Sequence, residues 1–170
     1  MSLEVSALRA LAHPLRLRML SLLTGTPMSA AELARELDIT HANASYHLRT
    51  LLAADLVVEE GQERVRGGLA KRYRYDVSRP RARGGDESER RLFAEALAGE
   101  LVRRSADRRA GSKGGTTDAE LWVPRAEWRE IVRQVDESMA RLHEVARPPR
   151  SKGTTRVSAT VALFEMERNA

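Results

Sequence analysis

The sequence predicts a mainly α-helical fold with a small β component. Apolar residues recur at three- and four-residue spacing in four short segments before residue 55. Residues 72–77 alternate between charged and apolar or aromatic side chains, which is strand periodicity. Two longer helical repeats follow, at about 86–109 and 124–146. These patterns divide the chain into a helical domain that ends in a hairpin (1–78), a linker and one helix (79–110), and a strand–helix–strand extension (111–170).

Composition restricts the class of protein. The 170 residues include 42% apolar and 31% charged residues, so a core is feasible. No run approaches the roughly 18 apolar residues of a membrane-spanning helix, and no segment resembles a signal peptide, so we expect a cytoplasmic protein. The absence of cysteine excludes disulfides, thiolate nucleophiles and cysteine metal sites. The net charge of +5 weakly favours a polyanionic partner.

Start signals support four helices before residue 55. Pro14 lies at the first-turn position that proline favours in the second helix. Ser29 and Glu32 have the spacing of a capping box, in which each side chain bonds the backbone N–H of the other, and they open the third helix. After a tight break at 38–40, Thr40 is expected to cap the fourth. Two helices separated by so short a break form a helix-turn-helix.

A β-hairpin is predicted after the fourth helix. One strand begins at 56–58, the other includes Tyr73 and Tyr75, and the tip between them contains Gly67 and Gly68. Alone, such a hairpin fits a solvated arm of any small α/β domain. After a helix pair, with cations on both arms, it fits the wing of a winged helix-turn-helix, which contacts phosphates or the minor groove.

The fourth helix is predicted to bury one side and to offer the other to the major groove of DNA. Ala44, Leu48 and Leu51 form the buried side. Small and polar side chains on the other side let the backbone approach and can bond base edges, and arginine can read guanine or bind phosphate. The DNA-binding candidates are His41, Ala42, Asn43, Ser45, Tyr46 and Arg49 on this helix, with Arg64, Arg66, Lys71, Arg72 and Arg74 on the hairpin.

The first 77 residues resemble the winged-helix repressors of the ArsR/SmtB type. Residues 8–20 resemble the opening of that family, 31–34, 45–51 and 54–57 its helix pair, and 67–75 its wing. The resemblance implies a dimeric regulator, of repressor type, that binds a near-palindromic operator. By position it implies groove contacts from Thr40, His41, Ala42, Asn43, Ser45 and Tyr46, and wing contacts from Arg64, Arg66, Lys71 and Arg72.

The metal-sensing motifs of that family are missing. Its sensors use a cysteine motif, or histidine and acidic residues of the C-terminal helix, whereas this chain has no cysteine and no histidine in 86–109. The four histidines include no pair at i, i+4 spacing. His13 is expected to cap or pack beside Pro14, and His47 to be half-buried scaffold. We therefore expect neither a metal nor another cofactor.

The chain beyond residue 78 leaves alternatives open. The stripe in helix 86–109 fits either a dimer interface or packing on its own domain; its members are Leu92, Phe93, Ala96, Leu97 and Leu101. The extension resembles that of longer actinobacterial regulators, with strands near 121–123 and 157–163. If the two strands pair, four side chains could line an effector or partner site, or the same side chains could form an ordinary core. These side chains are Trp122, Trp128, Phe164 and Met166.

The expected function is sequence-specific binding of double-stranded DNA by a homodimer that regulates transcription, with a small-molecule effector as a further partner. One alternative is a winged-helix module that binds a protein of the transcription machinery instead of DNA. Another is a non-specific architectural binder. The sequence has no glycine-rich phosphate loop, cysteine nucleophile or Ser-His-Asp set in an ordered context, so we expect no enzymatic activity.

Overall fold

A computed structural model describes residues 6–65, 68–75 and 85–167. Within these ranges the chain forms six α-helices and one three-stranded antiparallel sheet. In chain order the elements are α1 (Ala7–Leu11), α2 (Pro14–Gly25), β1 (Met28–Ser29), α3 (Ala30–Leu37), α4 (His41–Ala53), β2 (Val57–Val65), β3 (Gly68–Tyr75), α5 (Glu87–Ser105) and α6 (Arg125–Glu144).

The helix starts predicted from the sequence are confirmed. The Ser29 hydroxyl accepts from the Glu32 backbone N–H at 3.3 Å, and the Glu32 carboxylate accepts from the Ser29 N–H at 2.7 Å. The Thr40 hydroxyl accepts from the Asn43 N–H at 3.2 Å. His13 caps α2, because its Nδ1 accepts from the backbone N–H of Leu15 at 3.2 Å. Asp38, in the left-handed conformation with φ 53°, ends α3.

One apolar core holds the helix pair to the sheet. Side chains from α2, α3, α4 and the start of β2 meet in it, and six of them are almost completely shielded from solvent: Met19, Leu23, Leu33, Leu48, Leu51 and Val57. Because α4 contributes Ala44, Leu48 and Leu51, its opposite side is turned outward.

The sheet has the strand order β1-β3-β2, and β2 and β3 form the predicted hairpin. Met28 pairs with Tyr73, which attaches the short β1 to the hairpin. A bulge interrupts β2 between Glu59 and Gly61, and Gly61 takes a φ of 142° there. The tip residues Arg66 and Gly67 lie outside the described residues, as do residues 76–84, which include most of the predicted linker.

Helix α5 returns to the N-terminal helices and packs against α1 and α2. Ala96 is buried in this contact, and so is the carboxylate of Glu100. Glu100 is compensated on its own helix by Arg103 at 2.8 Å and Arg104 at 3.7 Å. The centre of the α5 stripe therefore packs on its own chain, which is one of the two alternatives that the sequence left open.

The prediction of strands near 121–123 and 157–163 is wrong. The helix between them forms, as α6, but neither segment enters a strand. Alternating side chains favour an extended backbone, yet a strand also needs a hydrogen-bonding neighbour, and neither segment reaches the sheet. The predicted effector site is not built either, because Trp122 is 85% exposed and Phe164 70% exposed.

Candidate nucleic-acid interface

The outward side of α4 carries the predicted recognition residues. His41, Ala42, Asn43, Tyr46 and Arg49 are exposed, and Ser45 is half-buried. Directly beneath them, Ala44, His47, Leu48 and Leu51 are buried. The buried side of α4 packs on the core, and the opposite side presents a mixed polar and aromatic surface of the size that a major groove accepts.

The N-terminal end of α4 adds a positive electrostatic contribution. The first backbone N–H groups of a helix have no partner within it, and they favour a negative group nearby. The Thr40 hydroxyl satisfies one of them, at Asn43. Thr40 therefore acts first as the cap of this helix, and any contact it makes with DNA would use a hydroxyl already engaged as an acceptor.

Two predicted DNA-contacting arginines have no competing partner among the described residues. Arg49 on α4 and Arg64 on β2 are exposed, and neither forms an ion pair or a side-chain hydrogen bond with the described part of the chain. A guanidinium in this state can form two parallel hydrogen bonds to guanine or to a phosphate without breaking an existing contact.

The cations of β3 are instead paired with carboxylates of β2. Lys71 Nζ lies 2.8 Å from Glu59 Oε1, and Arg74 lies 3.3 Å from Glu60. The hydrogen bond to Glu59 and its charge raise the pKa of Lys71, so this amine remains protonated. Both pairs are well exposed, which makes them weak and exchangeable with phosphate.

Arg72 has a structural role that the sequence analysis missed. Its guanidinium is half-buried and bonds Glu63 of β2, Glu32 of α3 at 3.3 Å and the backbone carbonyl of Pro27. Partial burial opposes ionisation of Glu32, but hydrogen bonds from Ser29 and the charge of Arg72 hold the Glu32 pKa below its usual value. Arg72 therefore joins the wing to the helix pair, and its predicted contact with DNA would have to replace these bonds.

His47 joins α4 to the start of α2. Its ring centroid lies 4.6 Å from that of His13 and 5.2 Å from that of Tyr46. Burial, followed by the charges of His13 and Arg16, lowers the pKa of His47 to about 4. Its Nδ1 is buried and has no hydrogen-bond partner. His47 is thus neutral scaffold, more deeply buried than predicted, and no group of three or more histidines or carboxylates suited to a metal occurs in the described ranges.

Arg35 is a candidate that the sequence analysis did not select. It lies on the exposed side of α3, and it has no ion pair with any residue in the described ranges. The first helix of a helix-turn-helix crosses the DNA backbone, so a free arginine on it suits phosphate contact. The signal available was its position on the polar side of α3, between the buried Leu33 and Leu37.

The predicted dimerisation stripe of α5 is divided between two environments. Ala96 is buried against its own chain, and Phe93 and Leu97 are half-buried. Leu92 and Leu101 remain 51% and 47% exposed. Ala96 is therefore not available to a second molecule, whereas the two ends of the stripe are.

A family model agrees with the assignment of the helix pair. Residues 11–60 match a family described as "Helix-turn-helix domain". The crystal structure of a possible transcriptional regulatory protein from Mycobacterium bovis (fragment 1–100) is 28% identical; the match covers 58% of this chain and 85% of that one, with a TM-score of 0.33. Among curated proteins, none matches the chain significantly.

The chain therefore contains a helix-turn-helix domain, and the hairpin at 57–75 makes it the winged type. Domains of this class bind DNA in regulators of transcription. Among the described helices, none combines the length and the apolar character that crossing a membrane requires.

Proposed function

We propose that the protein is a sequence-specific regulator of transcription that binds double-stranded DNA as a homodimer, with the repressor character of the ArsR/SmtB type. It acts by binding rather than by catalysis. The observation that carries the proposal is the outward side of α4, where Arg49 and a set of small and polar side chains lie exposed over a rigid core. This side belongs to the segment that matches the helix-turn-helix family.

In this proposal α4 enters the major groove with its N-terminal end towards the bases. His41 and Asn43 would face base edges, while Arg49 would read guanine or bind phosphate. Arg64 of the wing would bind the flanking backbone. In a two-fold dimer the two α4 helices would occupy successive major grooves about 34 Å apart.

A small-molecule effector is not part of this proposal. The aromatic side chains predicted to line its site, Trp122 and Phe164, are exposed to solvent.

The first experiment measures binding to the DNA upstream of the protein's own gene, with unlabelled competitor. We expect a shift that the same sequence removes and that unrelated DNA does not. A shift removed equally by any DNA would support the non-specific architectural alternative. No shift at low salt would support the alternative of a winged helix that binds a protein partner.

The second experiment tests the residues. We expect Arg49→Ala and Arg64→Ala each to weaken binding about tenfold. Each variant loses either a contact with a base, worth on the order of 1–3 kcal/mol, or one contact with a phosphate. Each should also reduce the slope of log affinity against log salt by about one for a phosphate contact. Arg141→Ala removes the same charge from α6, outside the helix pair and the wing, and serves as the control. Unchanged affinity in both test variants would show that the interface is wrongly assigned.

A further inference from the structure

The C-terminal part of the chain buries almost nothing within one molecule. From residue 101 to residue 167 no side chain is buried, although α6 is 20 residues long and amphipathic. Its apolar side includes Trp128, Ile131, Val135 and Met139, which are half-buried or exposed. Helices in water gain most of their stability by packing an apolar side, so this side requires a partner.

The segments on either side of α6 have unpaired backbones. Over 115–123 and 155–167 no backbone hydrogen bond to any described residue occurs. Val157, Val161 and Leu163 nevertheless alternate with small or polar residues, as in a strand with one apolar face. An extended apolar segment with free N–H and C=O groups is a surface to which another strand adds readily.

The exposed apolar area is large enough for a stable interface. Ten large apolar side chains between residues 121 and 166 are exposed. Together they present on the order of 1,000 Å² of surface, whereas a stable complex buries about 800 Å² per partner. A monomer seldom exposes one contiguous apolar patch above a few hundred Å².

Charge and position favour a second copy as the partner. Residues 111–170 contain ten basic and nine acidic side chains, so two such units do not repel each other strongly. Arg156 forms an ion pair with Asp107 at 3.1 Å, which holds the last segment beside the end of α5. Near that end Leu101 and Val102 are also exposed, so the surface continues along the helix expected to dimerise.

We propose that a second copy of this chain docks on the C-terminal surface, which consists of the apolar side of α6 and the segments 119–123 and 157–166. In the dimer these segments lie against those of the second copy, which covers their apolar side chains and their unpaired backbone groups. This arrangement is isologous, the commonest form of homodimer. The inference rests on the proposed homodimer and names its interface.

Sedimentation equilibrium of the full-length protein tests the interface. We expect Val157→Asp with Val161→Asp to raise the dimer dissociation constant at least about tenfold, since two charges would enter an apolar interface. Ser158→Asp introduces one such charge on the other side of the segment and should change the dissociation constant much less. Circular dichroism should show unchanged helix content in all three proteins. A wild-type monomer at micromolar concentration, or a dimer indifferent to the double variant, would overturn the proposal.

Cysteine scanning tests the pairing, because the natural chain has no cysteine to interfere. Single cysteines at each position from 157 to 163, cross-linked with a short thiol reagent, should yield dimers most efficiently at the position nearest the two-fold axis and less on either side of it. Efficient cross-linking at Leu92→Cys and none across 157–163 would assign the interface to α5 and overturn the proposal. A cross-linked dimer that binds no DNA would leave this inference intact and contradict the proposed function.

Discussion

Arg72 bonds acceptors from three different segments, which makes one side chain a connector of the domain. It reaches Glu63 on β2, Glu32 on α3 and the carbonyl of Pro27 before β1. Sequence patterning placed it correctly on an arm of the wing, beside Lys71 and Arg74. It could not show which of these cations would be used within the fold, since Glu32 is 40 residues away in the chain.

We expect Arg72→Ala to destabilise the domain by about 1–2 kcal/mol, because a partly buried carbonyl and two carboxylates lose a charged donor. Arg74→Ala, in the same strand, removes only an exposed pair and should cost less than about 1 kcal/mol. Chemical denaturation of both variants checks the difference. Equal losses would contradict a connecting role for Arg72.

His47 makes the stability of the domain depend on pH. Its pKa falls from 6.5 to about 4 in the folded state, chiefly through burial, with His13 and Arg16 contributing. The pKa of His13 is lowered as well. The unfolded chain therefore binds the proton more readily, so stability is complete above pH 6.5 and is lost as the pH falls towards 4.

We expect the melting temperature to fall between about pH 7.5 and about pH 5, and to fall less in His47→Leu. Most carboxylates titrate below this pH range, so the change in melting temperature reports mainly on histidines. Because the pKa of His13 is lowered too, the melting temperature of the variant should still depend weakly on pH. Thermal melts at both values check this, and an equal fall in the two proteins would show that His47 is not the group responsible.

Among the secondary-structure elements, short-range sequence signals predicted the helices correctly, but they did not predict which segments pair as strands. The capping box, the Thr40 cap and the apolar spacing of α2 to α4 each depend on residues within a few positions, so the sequence sufficed. The hairpin also followed from adjacent segments. The strands at 121–123 and 157–163 did not form, because strand pairing depends on a distant or external neighbour that alternation cannot identify.

The capping box provides a test at this scale. Ser29→Ala should destabilise the domain by about 1 kcal/mol, since it removes the acceptor for the Glu32 N–H at the start of α3. Ser21→Ala, within α2, removes a hydroxyl that only bonds the Leu17 carbonyl one turn back, and should be nearly neutral. Urea denaturation of the two variants gives the comparison. A cost for Ser21→Ala as large as that for Ser29→Ala would argue against the cap.

At the scale of the molecule, the helix-turn-helix domain and the C-terminal unit meet at few points. Arg150 pairs with Glu36 on α3. Gly25, at the end of α2, lies against the backbone of Arg147, so that a Cβ there would be 2.7 Å from the Arg147 carbonyl oxygen. The sequence contains no sign of this approach, because nothing near Gly25 distinguishes it from an ordinary helix-ending glycine.

We therefore expect Gly25→Ala to displace the segment at Arg147, just after α6, from the end of α2, and trypsin to cleave between α5 and α6 faster. Gly99→Ala, in α5, is the matched control, since no atom lies within 4 Å of its added Cβ. Alanine should stabilise that helix by roughly 0.5–1 kcal/mol. Equal cleavage rates in the two variants would mean that the Gly25 contact does not hold the units together.

The ion pairs between β2 and β3 affect how long the protein stays bound to DNA of unrelated sequence. Non-specific attraction grows with the number of phosphates that cations neutralise, and a genome offers vastly more wrong sites than right ones. Because Lys71 and Arg74 are already matched by Glu59 and Glu60, these two cations of the wing add less to that attraction than unpaired ones such as Arg64 would. Dissociation from unrelated sequence should be fast, and the time spent at a site should be set by the fit of α4 to the bases.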